Sequence, residues 1–215
     1  MHVLERLLRH PQQVVAQCYD DRDLRRLAAL ALAAIAVGGL VFGAAVGSFR
    51  GGRQIAFAAV KIPVATMATL AVCGPAMVAL AAAFERRWSL RTVLAIGLAA
   101  SARASMVLLA LAPVLWLIID LGTPYHAVKL LSALFYALGG LSALLVVLRA
   151  LGPGRGRVGA ALTLIGVFLL VGGQTGWVLR PYLGRPDHRT VPFIVWGPED
   201  GGLAGALWES SSETF

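Results

Sequence analysis

Residues 92–119, TVLAIGLAASARASMVLLALAPVLWLII, contain a single charged residue, Arg103. A helix of this length rises about 42 Å at 1.5 Å per residue, which exceeds the roughly 30 Å hydrocarbon thickness of a bilayer. Because the backbone of an α-helix satisfies its own polar groups, such a stretch is stable in lipid. It therefore predicts a membrane-spanning helix.

Four further runs of the same kind flank this one, and the short polar segments between them leave no room for a soluble domain. The chain is 58% hydrophobic and 14% charged, and its mean hydropathy is +0.76, which excludes an ordinary soluble domain. We expect an all-α integral membrane protein with five transmembrane helices. The five runs are 27–47, 55–84, 92–119, 127–148 and 158–179.

Charge predicts the orientation of the bundle. The segment before the first run and the second and fourth loops hold eleven arginines, whereas the other side holds five and Lys129. Since basic residues favour the cytoplasmic side, the N-terminus is predicted to be cytoplasmic and the C-terminus exoplasmic. The domains are then a cytoplasmic segment (1–26), the bundle (27–179) and an exoplasmic tail (180–215).

The segment 1–26 carries apolar residues at roughly helical spacing, interrupted at Pro11. This pattern is typical of an amphipathic helix at the membrane interface. A helix that packs beneath the bundle on the cytoplasmic side explains the pattern equally well. The apolar residues are Leu4, Leu7, Leu8, Val14, Val15 and Cys18.

Charged residues inside the runs are the candidate functional residues, because charge within lipid is costly. Arg103 lies near the middle of its run, and Ser101 and Ser105 flank it. Lys61 lies six residues into the second run, so its long side chain is expected to snorkel to the interface in preference to forming a site. The runs contain no Asp or Glu, so Arg103 is predicted to meet a backbone carbonyl, a partner protein, an anionic lipid headgroup or a passing anion.

Small residues form two rows at a spacing of four, which favours close helix packing. Intramolecular packing is the commoner use of such rows, and self-association is the alternative. The rows are Gly39, Gly43 and Gly47 in the first run and Gly172 with Gly176 in the fifth. Prolines 63, 75 and 113 are expected to bend the second and third runs.

The sequence offers no catalytic or cofactor motif. Its four histidines are scattered, and the two cysteines cannot form a four-ligand zinc site. The formal charge of +8 is spread over short loops and does not form a nucleic-acid-binding stripe. We therefore expect a protein that is not an enzyme, holds no metal or cofactor and does not bind nucleic acid.

Residues 173–186, GQTGWVLRPYLGRP, followed by Val191-Pro192-Phe193, resemble the ending of an uncharacterised family of bacterial polytopic membrane proteins that is distantly Yip1-like. The likeness extends over about residues 50–195, and Tyr182 replaces a phenylalanine of the motif. The resemblance implies five spans, a cytoplasmic N-terminus and a location in the bacterial inner membrane. The motif residues are Gln174, Trp177, Arg180, Pro181, Gly184 and Pro186.

Three functions remain open at this level. The leading hypothesis is a non-enzymatic membrane subunit or scaffold in a homo- or hetero-oligomeric complex, which acts through helix packing and its exoplasmic tail. The alternative is a channel or transporter for an anion or lipid headgroup that uses Arg103 and Lys61. A Yip1-like membrane-shaping role is implied by the resemblance alone. The expected partners are membrane lipids, including anionic ones, further copies of the chain, or other membrane proteins.

Overall fold

The computed structural model describes Glu5 and residues 11–19, 24–83, 88–152 and 157–178. These residues form α-helices joined by short turns, and this described part of the chain contains no strand. The helices are α1 (Pro11–Tyr19), α2 (Leu24–Gly47), α3 (Arg53–Ala83), α4 (Leu90–Asp120), α5 (Tyr125–Leu151) and α6 (Arg157–Val178).

Helices α2 to α6 are each long and apolar enough to cross a membrane, which confirms the prediction of five such helices. They begin one to three residues before the apolar runs do. The added residues include Arg25, Arg26, Arg53 and Arg91, all of them exposed. A helix can continue through such residues because their backbone still bonds internally while the charged groups reach water.

Helix α2 is the centre of the bundle. It packs extensively against α3 and α4, α5 packs on α4, and α6 packs mainly on α3. Accordingly, 44% of the apolar span of α2 is buried within the protein, compared with 17% for α6. The outer faces are apolar, as Leu130 (72% exposed) and Leu169 (71% exposed) illustrate. Such faces suit contact with lipid or with another membrane helix.

The nine-residue helix α1 packs against α4 and α5. Val14, Val15 and Cys18 are buried in the same apolar cluster as Trp88, and Gln13 is exposed. Pro11 is the first residue of α1, where its missing N–H costs no helical hydrogen bond. For these nine residues, the arrangement corresponds to a helix packed on the bundle. Residues 1–4, 6–10 and 20–23 of the predicted segment lie outside the described residues.

Glycines set the close approach of α2 to α3. A Cβ at Gly39 would lie 3.0 Å from Pro63 Cδ, one at Gly43 would lie 2.6 Å from Ala59 Cα, and one at Gly47 would lie 2.7 Å from Ile55 Cα. As the residue numbers of the glycines rise along α2, those of their partners fall along α3, so the two helices are antiparallel. The row of Gly39, Gly43 and Gly47 therefore serves packing within the chain.

Candidate functional site

Lys61 is the one charged residue among the fully buried side chains of the described core, with 0% of its surface exposed. The interpretation of Lys61 as a snorkelling residue is therefore wrong, because its ammonium group does not reach the surface of the bundle. Gln54, two helical turns earlier on the same face of α3, is only 4% exposed. Both residues take part in a polar or electrostatic interaction. A polar strip thus runs along the buried face of α3.

The depth of Lys61 follows from the glycine contacts. Gly39 of α2 touches Pro63 and Gly43 touches Ala58 and Ala59, so Lys61 lies between two points of closest approach. Pro63 cannot donate to the carbonyl of Ala59, which weakens the helix beside Lys61. The Thr66 hydroxyl donates to the carbonyl of Ile62 at 3.0 Å. Lys61 is therefore held in a segment of α3 where the backbone pattern is interrupted.

Arg103 lies on α4, which packs against α2 as α3 does. Ser105 is buried, and its backbone carbonyl meets the position where a Cβ of Gly38 would lie. Arg103 and Ser101 are half-buried, and the Nε atom of Arg103 is buried. Arg149, near the end of α5, is close enough to Arg103 for their charges to repel. Arg103, near the middle of α4, thus has a second guanidinium group nearby in the direction of the end of the bundle where α4 begins.

The structure separates Lys61 from Arg103. Adjacent glycines of α2, Gly38 and Gly39, contact Ser105 and Pro63, which places those two residues at the same depth. Lys61 and Arg103 each precede one of them by two residues on antiparallel helices, so they lie about 3 Å above and about 3 Å below this level. Helical side chains lean towards the N-terminus of their own helix, so these two lean apart. They form two separate polar positions.

Two residues of these positions were missed at the level of sequence. Gln54 lies seven residues before Lys61, a spacing that places both on one helix face, and this signal was available. In the sequence, Arg149 is one of several loop charges that predict the orientation of the bundle. Its proximity to Arg103 depends on how α5 packs along α4, and no short-range pattern reports that.

The second predicted glycine row contributes less to packing than the first. Gly172 lies on α6, and its Cβ position would be 3.7 Å from Thr69 Cγ2, an ordinary contact. Gln174 is half-buried near the end of α6. The side chains at positions 176 and 177 and all residues from 179 onwards lie outside the described part of the structure. The motif residues Arg180, Pro181, Gly184 and Pro186 are among them.

Within the described residues, no three His, Cys, Asp or Glu side chains are grouped so that they could hold a metal ion. Cys18 and Cys73 are both buried and free of disulfides. The polar positions in the bundle are instead cationic and amide groups set among apolar helices. Five apolar helices of this length fit a multi-pass α-helical membrane protein.

No family model matches this chain. No curated protein and no solved structure is significantly similar to it. The resemblance of its ending to a bacterial membrane-protein family therefore stays a prediction.

Proposed function

We propose that this chain is a non-enzymatic multi-pass subunit or scaffold of a homo- or hetero-oligomeric membrane complex. The single observation that carries the proposal is an outward row of small residues on α6. Gly159, Thr163 and Gly166 follow one another at spacings of four and three residues, and all three are exposed. Rows of this kind allow the backbone of another membrane helix to approach closely.

Two features make this outward row suitable for contact with another membrane helix. A Cβ built at Gly166 would have no atom within 4 Å, so the space that the glycine leaves open is not used by the chain itself. The hydroxyl of Thr163 donates to the carbonyl of Gly159 at 2.9 Å, so the row presents no unsatisfied donor to an approaching helix. The row also lies on the helix that the bundle buries least.

The glycine row of α2 cannot make this contact. Gly39, Gly43 and Gly47 are already packed against α3. An assembly therefore has to use another face, such as the outward row of α6. The part played by the predicted exoplasmic tail still rests on sequence.

The test is the mass of the gently extracted complex by native mass spectrometry, with co-purifying proteins identified. We expect the unchanged chain to appear as a defined oligomer or hetero-complex. Gly166→Leu fills the open space on α6, so it should shift most of the protein to the monomer. Gly140→Leu is the matched control, because Gly140 is an outward glycine of α5 that also has no neighbour within 4 Å.

Each outcome has a clear meaning. If the unchanged chain is monomeric and no other protein co-purifies with it, the subunit proposal is overturned. If the unchanged chain assembles and Gly140→Leu disrupts the complex while Gly166→Leu does not, the assignment to α6 is wrong. Deletion of residues 187–215 tests the tail in the same assay, and loss of a partner would support its proposed role.

Transport of an anion or lipid headgroup is the second candidate. The observation that favours it is the full burial of a cationic residue, Lys61, in the middle of the bundle, since charge at that depth often marks a pathway. Anion flux into vesicles that contain the purified protein tests it. Lys61→Met and Arg103→Gln should each abolish flux without changing the assembly, and an unchanged chain that shows no flux above empty vesicles would exclude this candidate.

A further inference from the structure

We propose that Arg103 and Arg149 together bind the phosphate group of an anionic lipid. The lipid belongs to the leaflet on the side of the membrane where α4 begins and α5 ends. This binding site goes beyond the subunit role proposed above and does not depend on it.

The register of α4 and α5 brings the two arginines together. Gly139 of α5 packs against α4, with its Cβ position 3.4 Å from the Ala104 carbonyl oxygen and from Leu108 Cγ. Arg149 follows ten residues later, so it lies about 15 Å nearer the membrane surface than Gly139. On antiparallel helices, the Arg103 side chain leans towards that surface and the Arg149 side chain leans inwards. The two therefore converge, in agreement with the repulsion between their charges.

The electrostatics of this end of the bundle favour an anion. Arg25, Arg26 and Arg91 are exposed at the beginnings of α2 and α4, and Arg149 is exposed near the end of α5, at the same end of the bundle. An anion between two guanidinium groups replaces a repulsion with two attractions, and it gains strength because the surroundings are apolar.

The position of Arg149 and the apolar surface beside it favour a lipid phosphate as the anion. Guanidinium groups bind phosphate oxygens through paired hydrogen bonds, which suits two arginines that share one phosphate. Arg149 lies just beyond the apolar run of α5, where the lipid headgroups begin, and the Arg103 side chain extends towards it from about 13 Å deeper in the bundle. One and two turns before Arg149, Leu145 and Leu141 are 44% and 59% exposed and offer an apolar surface to the acyl chains. A free phosphate ion would gain nothing from that surface.

The experiment titrates the purified full-length chain in detergent with phosphatidylglycerol and counts bound lipid by native mass spectrometry. Phosphatidylcholine and inorganic phosphate are the comparison probes. Arg103→Gln and Arg149→Gln should each weaken phosphatidylglycerol binding about tenfold, the loss expected for one charge-assisted contact. The double variant should lose less than the product of the two single losses, because both residues hold the same group.

Arg53→Gln is the matched control. It removes the same charge from an exposed position at the beginning of α3, on the opposite side of the membrane. The affinity of the Arg53→Gln variant for phosphatidylglycerol should stay within about twofold of that of the unchanged chain. Equal weakening by Arg53→Gln would show that general charge, and not the pair, attracts the lipid, and it would overturn the proposal.

Two further outcomes decide the remaining points. Inorganic phosphate that displaces the lipid at equal concentration would overturn the assignment to a lipid. Arg103→Lys keeps the charge but loses the paired hydrogen bonds, so it tests the position even if Arg103→Gln fails to fold. The proposal is wrong if Arg103→Lys and Arg149→Gln both bind phosphatidylglycerol as tightly as the unchanged chain does.

Discussion

Replacing Gly43 by alanine tests how closely α2 and α3 approach. A Cβ at position 43 would lie 2.6 Å from Ala59 Cα and 2.8 Å from the carbonyl carbon of Ala58, whereas ordinary contacts begin at 3.4 Å. The carbonyl oxygen of Ala58 would lie nearer still, so the helices must separate by about 1 Å, because backbone atoms cannot rotate away as a side-chain end does. Overpacking of this kind costs about 1–3 kcal/mol.

Gly140→Ala isolates the packing cost. Both glycines lie within helices, so both variants gain the same helix propensity of about 1 kcal/mol, and this gain cancels in the comparison. At position 140 the new methyl group meets nothing within 4 Å. The free energy of unfolding of Gly43→Ala should therefore be about 1–3 kcal/mol lower than that of Gly140→Ala.

The assay is equilibrium unfolding in mixed micelles with an increasing fraction of sodium dodecyl sulfate, followed by far-ultraviolet circular dichroism. Gly38→Ala provides a second case, since its Cβ would lie 2.8 Å from the carbonyl carbon of Ser105 on α4. Equal stability of the Gly43→Ala and Gly140→Ala variants would refute the reasoning. It would mean that α2 and α3 are not held at backbone contact in the folded protein.

Three other predictions use the same unfolding assay. Lys61→Ala should lower the free energy of unfolding by about 2–5 kcal/mol because it leaves a cavity. Lys61→Met, which fills most of that space, should lower it less. Lys129→Ala, at an exposed position, should change the free energy of unfolding by no more than about 0.5 kcal/mol. Burial raises the pKa of the Cys18 thiol from 9.0 to about 11. Stability should therefore be constant below pH 9 and fall between pH 9 and 11, where only the unfolded thiol ionises; an equal fall in Cys18→Ala would contradict this. Ser89→Ala removes the hydroxyl that accepts from the Thr92 N–H at 3.1 Å and should cost about 1 kcal/mol; no loss would show that this cap is dispensable.

The five long helices were predictable because lipid imposes a local rule. A span needs about 20 apolar residues in succession, and no distant part of the chain changes that count. The helix ends were less predictable. Helix α2 begins at Leu24, ahead of the apolar run, since Arg25 and Arg26 continue the helix while their charges stay exposed.

The spacing of Gly39, Gly43 and Gly47 predicted close packing but not its partner. The partner is α3, where Pro63, Ala58 and Ile55 meet the row. Many helix faces offer small residues, including the outward row with Gly166, so spacing alone does not say which row is used within the chain. The choice depends on the combined fit of all the helices.

Composition and periodicity are sufficient to predict an all-helical chain with five membrane-length helices, because those properties depend on short stretches and the thickness of lipid. The surroundings of the charged residues depend on tertiary packing. The position of Lys61 along α3 predicted that its side chain reaches the interface. That position does not specify which way the side chain faces around the helix axis, and packing of the helices places Lys61 on the buried face. Likewise, Arg103 and Arg149 are 46 residues apart in sequence, and only the antiparallel register of α4 and α5 makes them neighbours.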